Sequence, residues 1–382
     1  MIRRIRVQNF KSIADVTVDL SPVTVLVGRS GTGKSNFVQA VQFLRDVLAS
    51  QQTAQVQQAW ERCRPATKPD GPTQFDVHFS IAGVDEKFQY ELSIAKEGPH
   101  HVPPIEERLT LGTRCLFHQA MKDDRKRGTR HWLVEPEVLP VPKAGPLALG
   151  RIPSVPEVVI AFTALTSGIG CYLFSDEVLC GGKQSQAATG LDDSAANYLT
   201  ALKEIVTDLH DLSVRKSMVA ALQQINPTVS SVELNDIRQP SHVVVGHKFN
   251  GKTLPLQLSQ ESAGFRRFYA HLLALYQRPS KQTLLFEHPE DGIHPGALSL
   301  LAEELKAAPG EGRGQVILTT HSPKLLDHFA ADQIRVVELD GLQTRIGLVS
   351  EEQREAIHEK LLEAGELLTV DPARIQLEAT EA

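Results

Sequence analysis

The chain has 382 residues, of which 41% are hydrophobic and 23% charged, a globular composition without collagen-like, mucin-like or disordered bias. Its formal net charge of −6 excludes a global basic field that would draw the whole molecule onto nucleic acid. No stretch reaches the roughly 18 uninterrupted apolar residues of a membrane span, and the opening Met1-Ile2-Arg3-Arg4-Ile5-Arg6-Val7 lacks the apolar run of a signal peptide.

Taken in order, Ile5-Arg6-Val7 and Val16-Thr17-Val18 read as strands across a polar turn, and Val23-Thr24-Val25-Leu26-Val27 as a short strand buried on both faces. Glycines follow at once, and then a helical pattern carrying Phe37, Val38, Val41, Phe43 and Leu44. From Thr73 to about Leu111 polar and apolar residues alternate, which predicts antiparallel hairpins. Residues from about 115 to 160 read as irregular and include the basic cluster Arg125-Lys126-Arg127. Helical periodicity returns at Ala195–Leu209 and Val214–Gln224. The last third alternates helix with buried strand: Phe265–Tyr276, Thr283–Phe286, Ala297–Ala307, Val316–Thr319, Pro323–Phe329 and Ile334–Val337. Such alternation predicts a parallel sheet covered on both faces. No heptad tract suggests a coiled-coil arm. Cys63, Cys115, Cys171 and Cys180 show no metal-ligand spacing and read as free thiols of the cytoplasm.

Gly28-Arg29-Ser30-Gly31-Thr32-Gly33-Lys34-Ser35 fits the phosphate-binding pattern G-x-x-x-x-G-K-[ST] at every fixed position. Glycines let the backbone curl so that successive N–H groups face a phosphate, and the following helix adds its positive end. Lys34 would reach the β- and γ-phosphates, and the Ser35 hydroxyl would ligate Mg²⁺. The expected cofactors are therefore ATP and Mg²⁺. The pattern lies between an apolar strand and an amphipathic helix, the context this chemistry requires.

Thr283-Leu284-Leu285-Phe286-Glu287 is an apolar strand ending in a carboxylate, which supports Mg²⁺ beside a P-loop or simply ends a core strand at the surface. Val316-Ile317-Leu318-Thr319-Thr320-His321 ends a second buried strand in an imidazole, placed to sense a γ-phosphate or to cap the strand. Leu258-Ser259-Gln260-Glu261-Ser262-Ala263-Gly264 opens a helix with small residues. There Ser262 is either an ordinary N-cap or one donor in an anion-facing turn.

These elements, in this order, resemble the RecF/SMC-like ABC ATPases, a group that includes the ATPase domain of overcoming-lysogenization-defect proteins and anti-phage defence ATPases. Ile5 to Ile13 looks like that family's first strand and "NF+S" turn, and Asn36 matches its GKSN habit. Gly190-Leu191-Asp192-Asp193-Ser194-Ala195-Ala196-Asn197 is similar to its mid-chain turn, and Pro289-Glu290-Asp291-Gly292-Ile293-His294-Pro295 to its PE-x-G-L-H-P stretch. The resemblance implies an α/β fold: a P-loop NTPase head of ABC type with a mixed sheet, an antiparallel hairpin lobe and an inserted, partly helical subdomain. The expected division is an N-terminal lobe over 1–111, the insert over 112–250 and a C-terminal lobe over 251–382.

Residue by residue, the resemblance implies nucleotide binding by Gly28, Ser30, Gly31, Thr32, Gly33, Lys34, Ser35 and Asn36. Metal would be held by Ser35 and Glu287, and catalysis carried by Glu287, His288 and His321. Ser262 and Gly264 stand for the signature motif, which contacts the γ-phosphate bound by an opposite subunit. ATP would then be sandwiched in a head-to-tail homodimer. His288 departs from the family, which often has a catalytic Glu there; a neutral imidazole is a different base, and slow turnover is expected. Glu290, two residues on, is a candidate substitute.

The stretch after Val337 reads as too short for an appended nuclease domain of roughly 100 residues. A separate, nuclease-like effector is therefore the expected partner, in DNA maintenance or anti-phage defence. DNA is a further candidate partner through Lys122 to His131, a run that two aspartates dilute; no membrane is expected. The alternative reading is a non-hydrolysing, ATP-gated scaffold that holds or releases a partner.

Overall fold

A computed structural model describes residues 1–50, 71–94, 105–120, 131–134, 137–140, 147, 149–152, 154–175, 179, 190–207, 212–235 and 241–376. Cys63, Cys180 and residues 122–130 of the basic run lie outside them. In chain order, β1 (Ile2–Phe10), β2 (Ile13–Asp19) and β3 (Val23–Val27) lead into α1 (Lys34–Ala49). Six antiparallel strands follow: β4 (Thr73–Phe79), β5 (Phe88–Ile94), β6 (Ile105–Leu111), β7 (Arg114–Ala120), β8 (His131–Val134) and β9 (Glu137–Pro140). Then come α2 (Pro156–Leu165), β10 (Ile169–Tyr172), α3 (Tyr198–Thr207) and α4 (Leu212–Ile225). Strands β11 (Val229–Asn235), β12 (His242–Phe249) and β13 (Lys252–Gln257) precede α5 (Ala263–Tyr276). The remainder runs β14 (Thr283–Glu287), α6 (Leu298–Gly310), β15 (Gln315–Thr319), α7 (Pro323–Leu326), β16 (Ile334–Asp340), β17 (Gln343–Leu348) and α8 (Glu351–His358).

Three sheets result among the described residues. The eight-stranded sheet, ordered β2-β1-β4-β5-β6-β7-β8-β9, is antiparallel throughout. It runs on past residue 111 to Pro140, through a stretch whose sequence reads as irregular. Opposite Leu109 and Thr110, β7 carries one extra residue, Leu116, and such a bulge hides strand periodicity in that strand. The six-stranded sheet, ordered β10-β14-β15-β3-β16-β17, is parallel except for its last strand. A three-stranded antiparallel sheet, β11-β12-β13, stands apart from both.

The parallel sheet is the centre of the molecule because alternate residues of its strands feed two different cores. Val23, Val25, Val27, Leu284, Phe286, Val316 and Leu318 pack on one side with α5, α6 and the helices before the three-stranded sheet. Leu26, Leu285, Ile317 and Val337 pack on the other with α1 and the inner face of the eight-stranded sheet. All five residues of β3 are buried, as a strand covered on both faces requires. Among the described residues, no helix is long and apolar enough to cross a membrane.

Candidate functional site

Strand β3 ends at Val27, in the middle of the parallel sheet, with β15 on one side and β16 on the other. The glycine loop leaves from that tip. Gly33 has φ +106° and a Cβ there would sit 2.1 Å from Thr344 Oγ1; one on Gly28 would meet the Val337 carbonyl oxygen at 2.1 Å. Only glycine fits either place. Gly33 is also the N-cap of α1, so no side chain caps the helix, and its first turn contains no acidic residue. The opening N–H groups of a helix have no intrahelical acceptor. Their partial positive charge is thus left for an anion.

Lys34 is buried and folds back over the loop, donating from Nζ to the carbonyl oxygens of Gly28 at 2.8 Å and Arg29 at 2.9 Å. Burial pulls its ammonium down to about 8. The loop is held in turn by a directed chain of hydrogen bonds. Asn36 Nδ2 donates to Ser12 Oγ at 2.7 Å, the Ser12 and Thr344 hydroxyls lie 2.6 Å apart, and Thr344 Oγ1 donates to the Thr32 carbonyl at 2.8 Å. Asn36 therefore faces Ser12 of the β1–β2 turn, and Ser35 is half-buried beside it on the first turn of α1. Ser12 is the serine of the NF+S turn, and Thr344 is a loop support that the sequence reading did not single out.

Glu287, at the tip of β14, lies level with Thr319 of β15. The chain turns there through His288, whose φ of +46° is left-handed, and whose N–H lies 3.2 Å from both Thr319 O and Thr319 Oγ1. This turn lays the His288 ring flat against His321, with centroids 4.8 Å apart and planes 8° apart. Glu290 ties the two strand ends together: Oε1 accepts from Thr320 Oγ1 and from the His321 N–H, both at 2.8 Å. Its Oε1 is 3.8 Å from His288 Nδ1, an electrostatic contact beyond hydrogen-bond length. The Glu290 side chain is 10% exposed, and its Oε2 is buried without a hydrogen-bond partner among the described residues.

These contacts set the protonation of the cluster. Burial pushes the Glu290 carboxyl up, but His288 and the donors at His321 and Thr320 outweigh it and hold the group below its ordinary value. The Glu290 carboxylate raises His288. Burial, then the positive charges of Lys34 and His288, lowers His321.

A groove of about 890 Å³ brings Gly28, Ser30, Gly31, Thr32 and His321 to one wall, facing Leu367 to Arg374 of the C-terminal segment. Ser262 and Gly264 do not line it. They open α5 elsewhere: Ser262 caps the helix by accepting from the Phe265 N–H at 3.3 Å and is exposed. Gly264 packs on the loop after His288, where a Cβ would approach the Gly292 carbonyl at 3.1 Å. The predicted site residues thus fall into two groups, one around the loop and the two histidines, the other a separate exposed turn. The turn at Gly190 to Asn197 reaches α1 through Asp193, which Arg45 grips with two hydrogen bonds of 2.6 Å.

A glycine loop between a central parallel strand and an uncapped helix, with a carboxylate and a histidine at the tips of neighbouring strands, defines a P-loop NTPase. Residues 1–103 match the AAA ATPase domain family. Residues 188–327 match an AAA domain family whose description names an AbiEii toxin of a type IV TA system. An OLD nuclease of Thermus scotoductus is 24% identical over 378 residues, covering 94% of this chain, and the chain spans 66% of that relative's length. The fold is similar to an SMC head solved with the C-terminal winged-helix domain of ScpA (TM-score 0.55, 12% identity, 93% of this chain and 99% of that one). It is similar as well to the Pyrococcus furiosus Smc head with an extended coiled coil, bound to the C-terminal domain of ScpA (TM-score 0.54, 13% identity, 94% and 99%). The chain thus has the P-loop NTPase fold seen in SMC heads and carries matches to two AAA ATPase domain families, beside its likeness to an OLD nuclease.

Proposed function

We propose that this ATPase is a switch subunit that closes head to tail as a homodimer around two ATP molecules, and that it works with nuclease chemistry on DNA in genome maintenance or anti-phage defence. The observation that carries the reading is the uncapped start of α1 behind a loop only glycine can form, with Lys34 already seated on it. That arrangement suits a polyphosphate: N–H groups and an ammonium converge at a helix start whose first turn carries no acidic residue. Gly28, Ser30, Gly31, Thr32, Gly33 and Lys34 would hold the phosphates, with Asn36 acting through Ser12. Ser35 and Glu287 would hold Mg²⁺, which neutralises charge on the β- and γ-phosphates when bound. His321, facing the same groove as the loop, would report the γ-phosphate.

The separation of Ser262 and Gly264 from that groove supports the dimer. An exposed helix start that does not reach its own loop is free to meet the loop of a second copy, and the head-to-tail pairing completes two sites at once. The nuclease in the relative's name is the ground for expecting nuclease chemistry beside this ATPase.

A second reading, an ATP-gated scaffold with negligible turnover, is favoured by position 288. There the ring of His288 is stacked on His321, and the nearest carboxylate, Glu290, is engaged by Thr320 and the His321 N–H. Steady-state ATP turnover of the wild type and Lys34→Ala, with and without double-stranded DNA, separates the two. Turnover abolished in Lys34→Ala and stimulated by DNA supports the switch. Tight ATP binding with no turnover supports the scaffold. Undiminished ATP binding by Lys34→Ala would remove the site assignment altogether.

A further inference from the structure

Glu261 comes immediately before the N-cap Ser262, and its side chain is held from β12, the neighbour of the β13 strand that leads into this turn. His247 of β12 lies with Nε2 2.6 Å from Glu261 Oε1, where the ring N–H donates to the carboxylate. Its Nδ1 lies 2.8 Å from Thr228 Oγ1, at the start of β11. The His247 and Glu261 side chains are only 9% and 8% exposed. Polar groups this buried persist where their hydrogen bonds are made, and they then fix geometry more than they add stability.

The backbone around Glu261 is fixed as well. Leu258 anchors the preceding turn in the core. The Arg266 guanidinium, one turn into α5, donates back to the carbonyls of Ser259, at 3.3 Å, and Glu261. The His247–Glu261 bond adds a side-chain tie at the start of residues 261–264. The tie also joins that turn to a sheet that takes no part in the nucleotide groove.

We infer that His247 and Glu261 are positioning residues for the Ser262–Gly264 turn, holding it in the orientation in which it meets the nucleotide of a second protomer. The inference rests on the head-to-tail reading. It assigns the three-stranded sheet a role: a shift of β12 is transmitted to the turn, and so to the strength of the ATP-dependent dimer, without touching the P-loop.

The test uses the full chain, a fluorescent ATP analogue and sedimentation velocity. Glu261→Gln, His247→Leu and His247→Gln are compared after circular dichroism has shown them folded; Glu261→Gln keeps the volume of the side chain and serves if His247→Leu does not fold. Below the dimerisation concentration, each should bind the analogue within about twofold of wild type, while ATP-dependent dimerisation of Glu261→Gln and His247→Leu weakens about tenfold or more. His247→Gln, which restores a donor to Glu261, should recover part of the loss. In a Ser262→Arg background, where the turn is already blocked, His247→Leu should weaken dimerisation no further, a coupling that a general loss of stability would not give. Wild-type dimer affinity in both weakened variants would overturn the inference, as would lost analogue binding in the folded protomers. A wild type that fails to dimerise with ATP removes the head-to-tail reading itself, a result visible before any variant is measured.

Discussion

Lys34 carries a charge that burial makes costly. With its ammonium at about 8 in the free protein, bound phosphates would favour the protonated form and raise that value. ATP affinity should therefore be flat below about pH 7 and weaken as pH rises through 8, by up to about tenfold per pH unit. Fluorescence titrations between pH 6.5 and 9 check this; an affinity constant to pH 9 would contradict it. His271 works in the opposite direction. Enclosed in α5 between Phe174 and Phe286, it is lowered by burial from 6.5 to about 4. The unfolded chain then takes up a proton that the folded chain refuses, so this share of stability is complete above pH 6.5 and is lost as pH falls from 6.5 to 4. The loss is about 3 kcal/mol. Urea unfolding of wild type and His271→Phe over that range should show the smaller pH slope in the variant; equal slopes would sink the assignment.

At the scale of elements, the loop and α1 depend on β17 as much as on the glycines. Gly33→Ala would drive a methyl into Thr344 and impose a strained φ, at a cost of roughly 1–3 kcal/mol at the loop. Thermal melts should show a drop of several degrees, and ATP binding should be lost with it. A Gly33→Ala protein that binds ATP normally would show that the loop is not held as described. Much of this scaffold is legible in the sequence. Short apolar runs bounded by glycine or a carboxylate announce β3, β14 and β15, and the G-x-x-x-x-G-K-[ST] spacing announces the loop. The supports are not legible, because they join residues far apart in the chain: Ser12 with Thr344, Glu290 with Thr320, His247 with Glu261. His247 in particular follows the run Val243-Val244-Val245-Gly246, where no polar–apolar alternation distinguishes a buried hydrogen-bonded ring from a solvent-facing one. Strand β7 escapes the pattern for another reason. Opposite Leu109 and Thr110 it carries one extra residue, Leu116, and that bulge breaks the period of two on which strand reading depends.

Across the whole molecule, the parallel sheet carries the loop, Glu287 and His321 at one end of adjacent strands, while the exposed turn at Ser262 lies apart from their groove. On the proposed head-to-tail reading, a single copy would bind ATP but lack the second face of the site, and association should depend on nucleotide. Sedimentation velocity of the full chain with and without saturating Mg²⁺-ATP, wild type beside Lys34→Ala, tests that most directly. The expected result is a wild type that shifts from monomer to dimer with ATP and a Lys34→Ala protein that stays monomeric. A wild type whose sedimentation ignores ATP, or a Lys34→Ala protein that dimerises equally well, would contradict it.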